Sequence, residues 1–149
     1  MPVEYSPTAI SHAIQLAIAP VFLLTGIASL IAVMATRLAR VIDRARFLEM
    51  EWTKLAPEAK VVARAEMETL ERRRRICSWS INYCTIAALL VCLVIVTLFW
   101  EEFFARNLKW LAGSLFVGAM FAVIFGLVSF LREVYIATHA VTIDHRRLD

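Results

Sequence analysis

From Ala13 to Met34 the chain carries no charged residue. Those 22 residues would make about 33 Å of α-helix, enough to cross the hydrocarbon core of a bilayer. A stretch this apolar is stable in lipid only where its backbone amides bond within the segment, so it predicts a membrane-spanning helix. It passes without a break into Thr36-Arg-Leu-Ala-Arg-Val-Ile-Asp-Arg-Ala-Arg46.

The polar residues of this stretch are not scattered. With successive residues advancing by about 100°, Ser11, Gln15, Thr25, Ser29, Thr36, Arg40 and Asp43 fall within an arc of roughly 80°. Lipid offers no partner to a hydroxyl or an amide, so this face is expected to look at protein or water. Pro20, inside the run, removes one backbone hydrogen bond and is expected to kink the helix.

Two further charge-free runs follow, Ile76 to Trp100 and Trp110 to Leu131. A composition that is 60% hydrophobic and 19% charged, with mean hydropathy +0.69, is too apolar for a soluble domain of this size. The expected fold is all-α: one membrane domain, 1–149, with three transmembrane spans at about 12–34, 77–100 and 110–131. Its long helices extend into a cytoplasmic helical hairpin at 35–76, with an outer loop at 101–109 and a cytoplasmic tail at 132–149. Trp79 and Tyr83 at one end of the second span, and Trp100 and Trp110 around the outer loop, suit the two membrane interfaces.

Past Met34 the pattern changes. Leu38, Val41, Ala45, Leu48, Trp52 and Leu55 recur at alternating spacings of three and four with charges between, a coiled-coil style of repeat. The first helix is expected to end near Ala56, because Pro57 disfavours helix in the residue before it and suits a first turn. Ala63, Met67 and Leu70 give the returning helix a matching seam, which could close within one hairpin or between chains. Glu68 with Arg72 and Glu71 with Arg75 are spaced to pair along that helix.

Ser114, Gly118, Ala122 and Gly126 follow one another at four-residue spacing, a row that lets another backbone approach closely in lipid. Arg72, Arg73, Arg74 and Arg75 stand immediately before the second span. They suggest anionic lipid headgroups or a positive ring around an axis, and membrane topology alone also accounts for them. Eleven Lys and Arg lie between Arg37 and Arg75, two in the outer loop, three in the tail and none before the first span. The positive-inside rule therefore puts the hairpin and C-terminus in the cytoplasm and the N-terminus outside. Basic residues placed this way give no reason to expect nucleic acid. Cys77, Cys84 and Cys92 lack metal-ligand spacing and read as small apolar side chains; no metal or other cofactor is implied.

Taken together, Ala13-Ile-Gln-Leu-Ala-Ile-Ala-Pro-Val-Phe-Leu-Leu-Thr-Gly-Ile27 and Thr36 to Arg46 resemble the opening of a bacterial membrane-protein family, domain of unknown function 2721. The resemblance implies a bacterial inner membrane and carries no activity with it.

Two functions fit these residues. The leading one is a homo-oligomeric structural scaffold whose hairpin docks a cytoplasmic protein partner or organises lipids, since polar residues on a span more often make interhelical contacts than line pores. The other is a homo-oligomeric ion channel lined by Gln15, Ile18, Phe22, Thr25, Ser29, Thr36, Arg40 and Asp43. In that reading Ile18 and Phe22 gate, and Arg40 with Asp43 forms charged rings at the mouth. An enzyme is not expected: no span holds an acid–base pair and no nucleophile has a recognisable base.

Overall fold

The computed structural model describes residues 7–104 and 108–142. They form three helices, α1 (Pro7–Glu51), α2 (Pro57–Phe104) and α3 (Lys109–Thr142), and no strand occurs among the described residues. The last stretch of the tail, with His145 to Arg147, lies outside them. At 45, 48 and 34 residues the helices run about 68, 72 and 51 Å, each longer than the ~30 Å hydrocarbon core. All three hold a segment long and apolar enough to cross a membrane.

Within the most apolar window of each helix only 17%, 28% and 17% is buried inside the chain. Much of the remainder, including Phe22, Leu89, Val96, Phe121 and Phe125, is exposed. Water would penalise that surface by about 25 cal/mol per Å², whereas lipid tails are as apolar as the side chains themselves. The chain is therefore an all-α, multi-pass membrane protein.

Burial follows a seven-residue register. In α1 it selects Ile27, Met34, Val41 and Leu48; in α2, Ala63, Leu70, Cys77, Cys84 and Val91, with Ser80, Ala87 and Val94 three residues behind; in α3, Ala112, Ala119, Gly126 and Glu133. Pro20, seven before Ile27, is also buried and sits within α1 without ending it.

The chain divides into two packed units, Met1–Ile31 with Tyr83–Ile124 and Ala32–Asn82 with Phe125–Asp149. In the first, the inner positions of α2 and α3 are small, and a Cβ placed on Gly118 would lie 3.7 Å from Cδ1 of Leu90. α2 thus packs in van der Waals contact where Gly118 leaves room. Along α3, Ala122 and Gly126 are buried, Gly118 is half-buried and Ser114 is exposed, its hydroxyl donating to the Leu111 carbonyl at 2.9 Å. The reason is geometric: each four-residue step turns the row by about 40°, so Ser114 stands about 120° from Gly126.

In the second unit the hairpin closes within one chain. Val41, Leu48, Ala63 and Leu70 form its core, flanked by Ala45, Trp52, Leu55 and Met67. α1 ends at Glu51, earlier than Pro57 alone would require. The Trp52 and Lys54 amides donate to the Glu49 and Glu51 carbonyls, at 3.3 and 2.9 Å, in i to i−3 bonds that tighten the final turn. Lys60 donates to the Ala56 carbonyl at 3.0 Å, which makes Pro57 the first residue of α2, where its missing N–H costs nothing. Glu58 follows in the first turn, complementing the helix dipole.

Leu48→Ala should destabilise the hairpin by about 2–3 kcal/mol, through lost transfer energy and the cavity left behind. Met50→Ala, on an exposed side chain, should stay within about 0.5 kcal/mol. Hydrogen exchange of hairpin amides in detergent micelles reports both, and equal losses would contradict this packing.

Candidate functional site

Where the apolar part of α3 ends, the register places a carboxylate at a core position. Glu133 is fully buried, and its two oxygens are divided between two helices: Oε1 accepts from Arg73 Nη2 at 2.9 Å and Nε at 3.3 Å, and Oε2 accepts from Arg37 Nη1 at 3.4 Å. The arginine side chains are 26% and 42% exposed, against 0% for Glu133. Arg37 also lies over the Phe130 ring, 5.2 Å from its centroid, which adds a cation–π contact. The cluster thus joins α1, α2 and α3 with one carboxylate and two guanidiniums.

Arg37 and Arg73 occupy the second row of the register, three residues past Met34 and Leu70. The next positions outward along α1 and α2 on that row are Arg44 and Glu66, which meet in a two-point pair at 2.7 and 3.2 Å. With half of Arg44 and over a third of Glu66 exposed, this pair contributes roughly 0.2–1 kcal/mol, whereas the buried cluster cannot lose a partner so cheaply.

The four arginines before the second span therefore divide. Arg73 turns inward to Glu133; Arg75 pairs with Glu71 at 3.7 Å, as its spacing predicts; Arg72 and Arg74 are exposed. Glu68 and Arg72, spaced in the same way, form no ion pair among the described residues.

Two adjoining openings flank the hairpin. The larger, about 970 Å³, has an apolar floor of Val41, Ala45, Met67 and Leu70 beneath a charged rim that includes Glu49, Arg64, Glu68 and Glu71. The smaller, about 320 Å³, lies between Leu38 and Ile42 of α1 and the Arg74, Arg75, Ser78, Trp79 and Asn82 face of α2. Ile42 and Arg74 border both.

Every residue of the α1 stripe, Gln15, Ile18, Phe22, Thr25, Ser29, Thr36, Arg40 and Asp43, is exposed, Phe22 at 74%. The hydroxyls of Thr25, Ser29 and Thr36 donate to the carbonyls four residues back, Val21, Thr25 and Ala32, at 3.2, 3.1 and 2.9 Å. Their donors are satisfied within the helix, so these three hydroxyls do not by themselves demand water or a neighbouring protein. Cys77 and Cys84 are buried, Cys77 close to the Glu133, Arg73 and Arg37 cluster, and Cys92 faces outward. No group of three metal-ligating side chains gathers among the described residues.

Glu133 is the residue that charge patterning alone misses, since it reads as the start of a polar tail. Its signal is the series Ala112, Ala119, Gly126, Glu133, a seven-residue row of small side chains that ends on a charge.

Arg73→Met should cost about 3–5 kcal/mol, because it leaves a buried carboxylate with one longer contact. Arg37→Met should cost less, its guanidinium being farther from Glu133 and more exposed. Thermal unfolding of the two variants in the same detergent measures the order, and the reverse order would refute this geometry.

No curated protein and no solved structure matches the chain. The model of one family, described as Protein of unknown function (DUF2721), matches residues 17–143. That covers both arginines, Glu133, the hairpin, the second and third spans and all but the first residues of the first, and the chain belongs to that family.

Proposed function

We propose that this protein is a non-catalytic scaffold of the bacterial inner membrane, assembled as a homo-oligomer, that holds its hairpin on the cytoplasmic side as a docking surface for a protein partner. The observation that carries this reading is the larger hairpin groove, with its apolar floor and mixed-charge rim. Such a surface suits an amphipathic helix laid along it, apolar side down. The excess of Lys and Arg in the hairpin over the outer connection supports the orientation. The exposed polar stripe of α1 offers a face for neighbouring copies.

A pore lined by that stripe is the second reading, favoured by the exposure of all eight of its residues. The bonding of its three hydroxyls to their own helix weighs toward the scaffold.

The mass of the detergent-solubilised particle, corrected for bound detergent, and ion flux in liposomes test the two together. The scaffold predicts more than one copy per particle and liposomes that stay tight with both wild type and Phe22→Ala. A monomer would overturn the homo-oligomer, and currents enlarged by Phe22→Ala would transfer the assignment to the pore. For docking, a photo-crosslinking residue at Glu49, on the groove rim, should give a discrete adduct in cells that one at exposed Thr69 does not. Equal labelling at both positions would refute the groove as the docking surface.

A further inference from the structure

We propose that the smaller groove, where α1 and α2 leave their apolar segments, binds the headgroup of an anionic phospholipid. The inference needs only that the chain spans a membrane and is independent of any protein partner. Its first support is charge. With Arg73 drawn inward to Glu133, Arg74 and Arg75 border this groove, and Arg74 has no ion-pair partner among the described residues. Arg75 is held only by its long 3.7 Å contact with exposed Glu71, so both guanidiniums can turn to a phosphodiester, which they can contact through several N–H groups at once.

The second support is unspent hydrogen bonding. Along the spans, the hydroxyls of Thr25, Ser29, Thr36, Ser80 and Thr97 all bond the carbonyl four residues back. Ser78 and Asn82, both lining the groove, have no hydrogen-bond partner among the described residues. An amide at this depth is costly unless something in the membrane satisfies it.

The third support is depth. Ser78 lies about 4.5 Å and Asn82 about 10.5 Å beyond Arg75 along the helix axis. The interfacial layer on each side of a bilayer is roughly 5–7 Å thick. With Arg75 at the phosphates, Ser78 stands within that layer and the Asn82 backbone about 3.5–5.5 Å below its inner edge, from where its side chain, leaning back toward the N-terminus of α2, reaches up to the ester carbonyls, which accept from its amide. Leu38 and Ile42 supply the apolar wall. Inorganic phosphate shares the charge but offers nothing to Asn82, so the occupant is a lipid rather than a free anion.

Native mass spectrometry of the full-length protein, with equimolar phosphatidylglycerol and phosphatidylcholine, tests the site. Wild type should retain phosphatidylglycerol preferentially. Arg74→Gln with Arg75→Gln should lower that retention roughly tenfold, and the corresponding lysine pair should keep most of it. Asn82→Leu should weaken both lipids, because both carry ester carbonyls. Arg72→Gln, outside the groove, should change either by less than about twofold. Undiminished phosphatidylglycerol binding in the glutamine pair, displacement of the lipid by millimolar inorganic phosphate, or an equal loss in Arg72→Gln would overturn the proposal. Should the glutamine pair fail to assemble, Asn82→Leu decides alone, on protein of unchanged particle mass and helicity: reduced retention of both lipids sustains the site, and unchanged retention overturns it.

Discussion

A carboxylate with no exposed surface is tolerable only if its charge is met where it lies, and Glu133 is met by Arg37 and Arg73. That requirement limits how the helices can slide. The buried positions of α1, α2 and α3 repeat every seven residues, so a slip of α3 by one repeat, about 10.5 Å, would keep its small side chains on the inner face. A slip toward the apolar segments, however, would carry Glu133 to the level of Leu30 and Ser80, with no cation to meet it. A slip the other way would carry it to Arg44 and Glu66, where the cation is already paired and the second group is a like charge. Only the observed register gives the carboxylate two arginines.

The rest of the packing lacks that discrimination. In water, exposing Ile27 or Val91 would itself be penalised, but lipid removes most of that penalty, and close approach of small residues takes its place. Cys84, Ala87, Ala112 and Ala119 are buried in the first unit, each small enough to bring backbones together and none bulky enough to specify a partner. The second unit supplies what they lack: larger side chains in the hairpin core and charges that match at one offset only. Stability and specificity are thus distributed unevenly along the same helices.

How much of this the sequence discloses follows the same division. Where water surrounds the chain, charged residues separate the apolar ones, and Val41, Ala45, Leu48, Met67 and Leu70 can be read directly as a seam. The turn is equally legible, because Pro57 can hardly stand anywhere but at a helix start. Within the spans the contrast disappears: Leu89, exposed, and Val91, buried, are equally apolar, so periodicity does not separate lipid-facing from inward-facing residues. The row from Ser114 to Gly126 is visible as a packing signal, yet its four-residue spacing does not match the helical turn, and only its latter half is buried. The polar arc on α1 is visible too, but its hydroxyls bond backward along the helix, which a list of residue types does not disclose. Glu133 escapes notice for another reason, since nothing local distinguishes a charge that ends a span from one that locks it.

The position of that glutamate late in the chain bears on the order of biogenesis. A ribosome delivers Arg37 and Arg73 first, and both belong to long, flexible side chains that can reach water while they wait. The third helix brings the carboxylate after both arginines have been made. Had the charges been distributed the other way, an acidic group on the first helix would have had to enter the bilayer margin alone and remain there until two more spans were made. The arrangement seen here lets each intermediate keep its charges hydrated, and it reserves desolvation for the moment when the third helix docks.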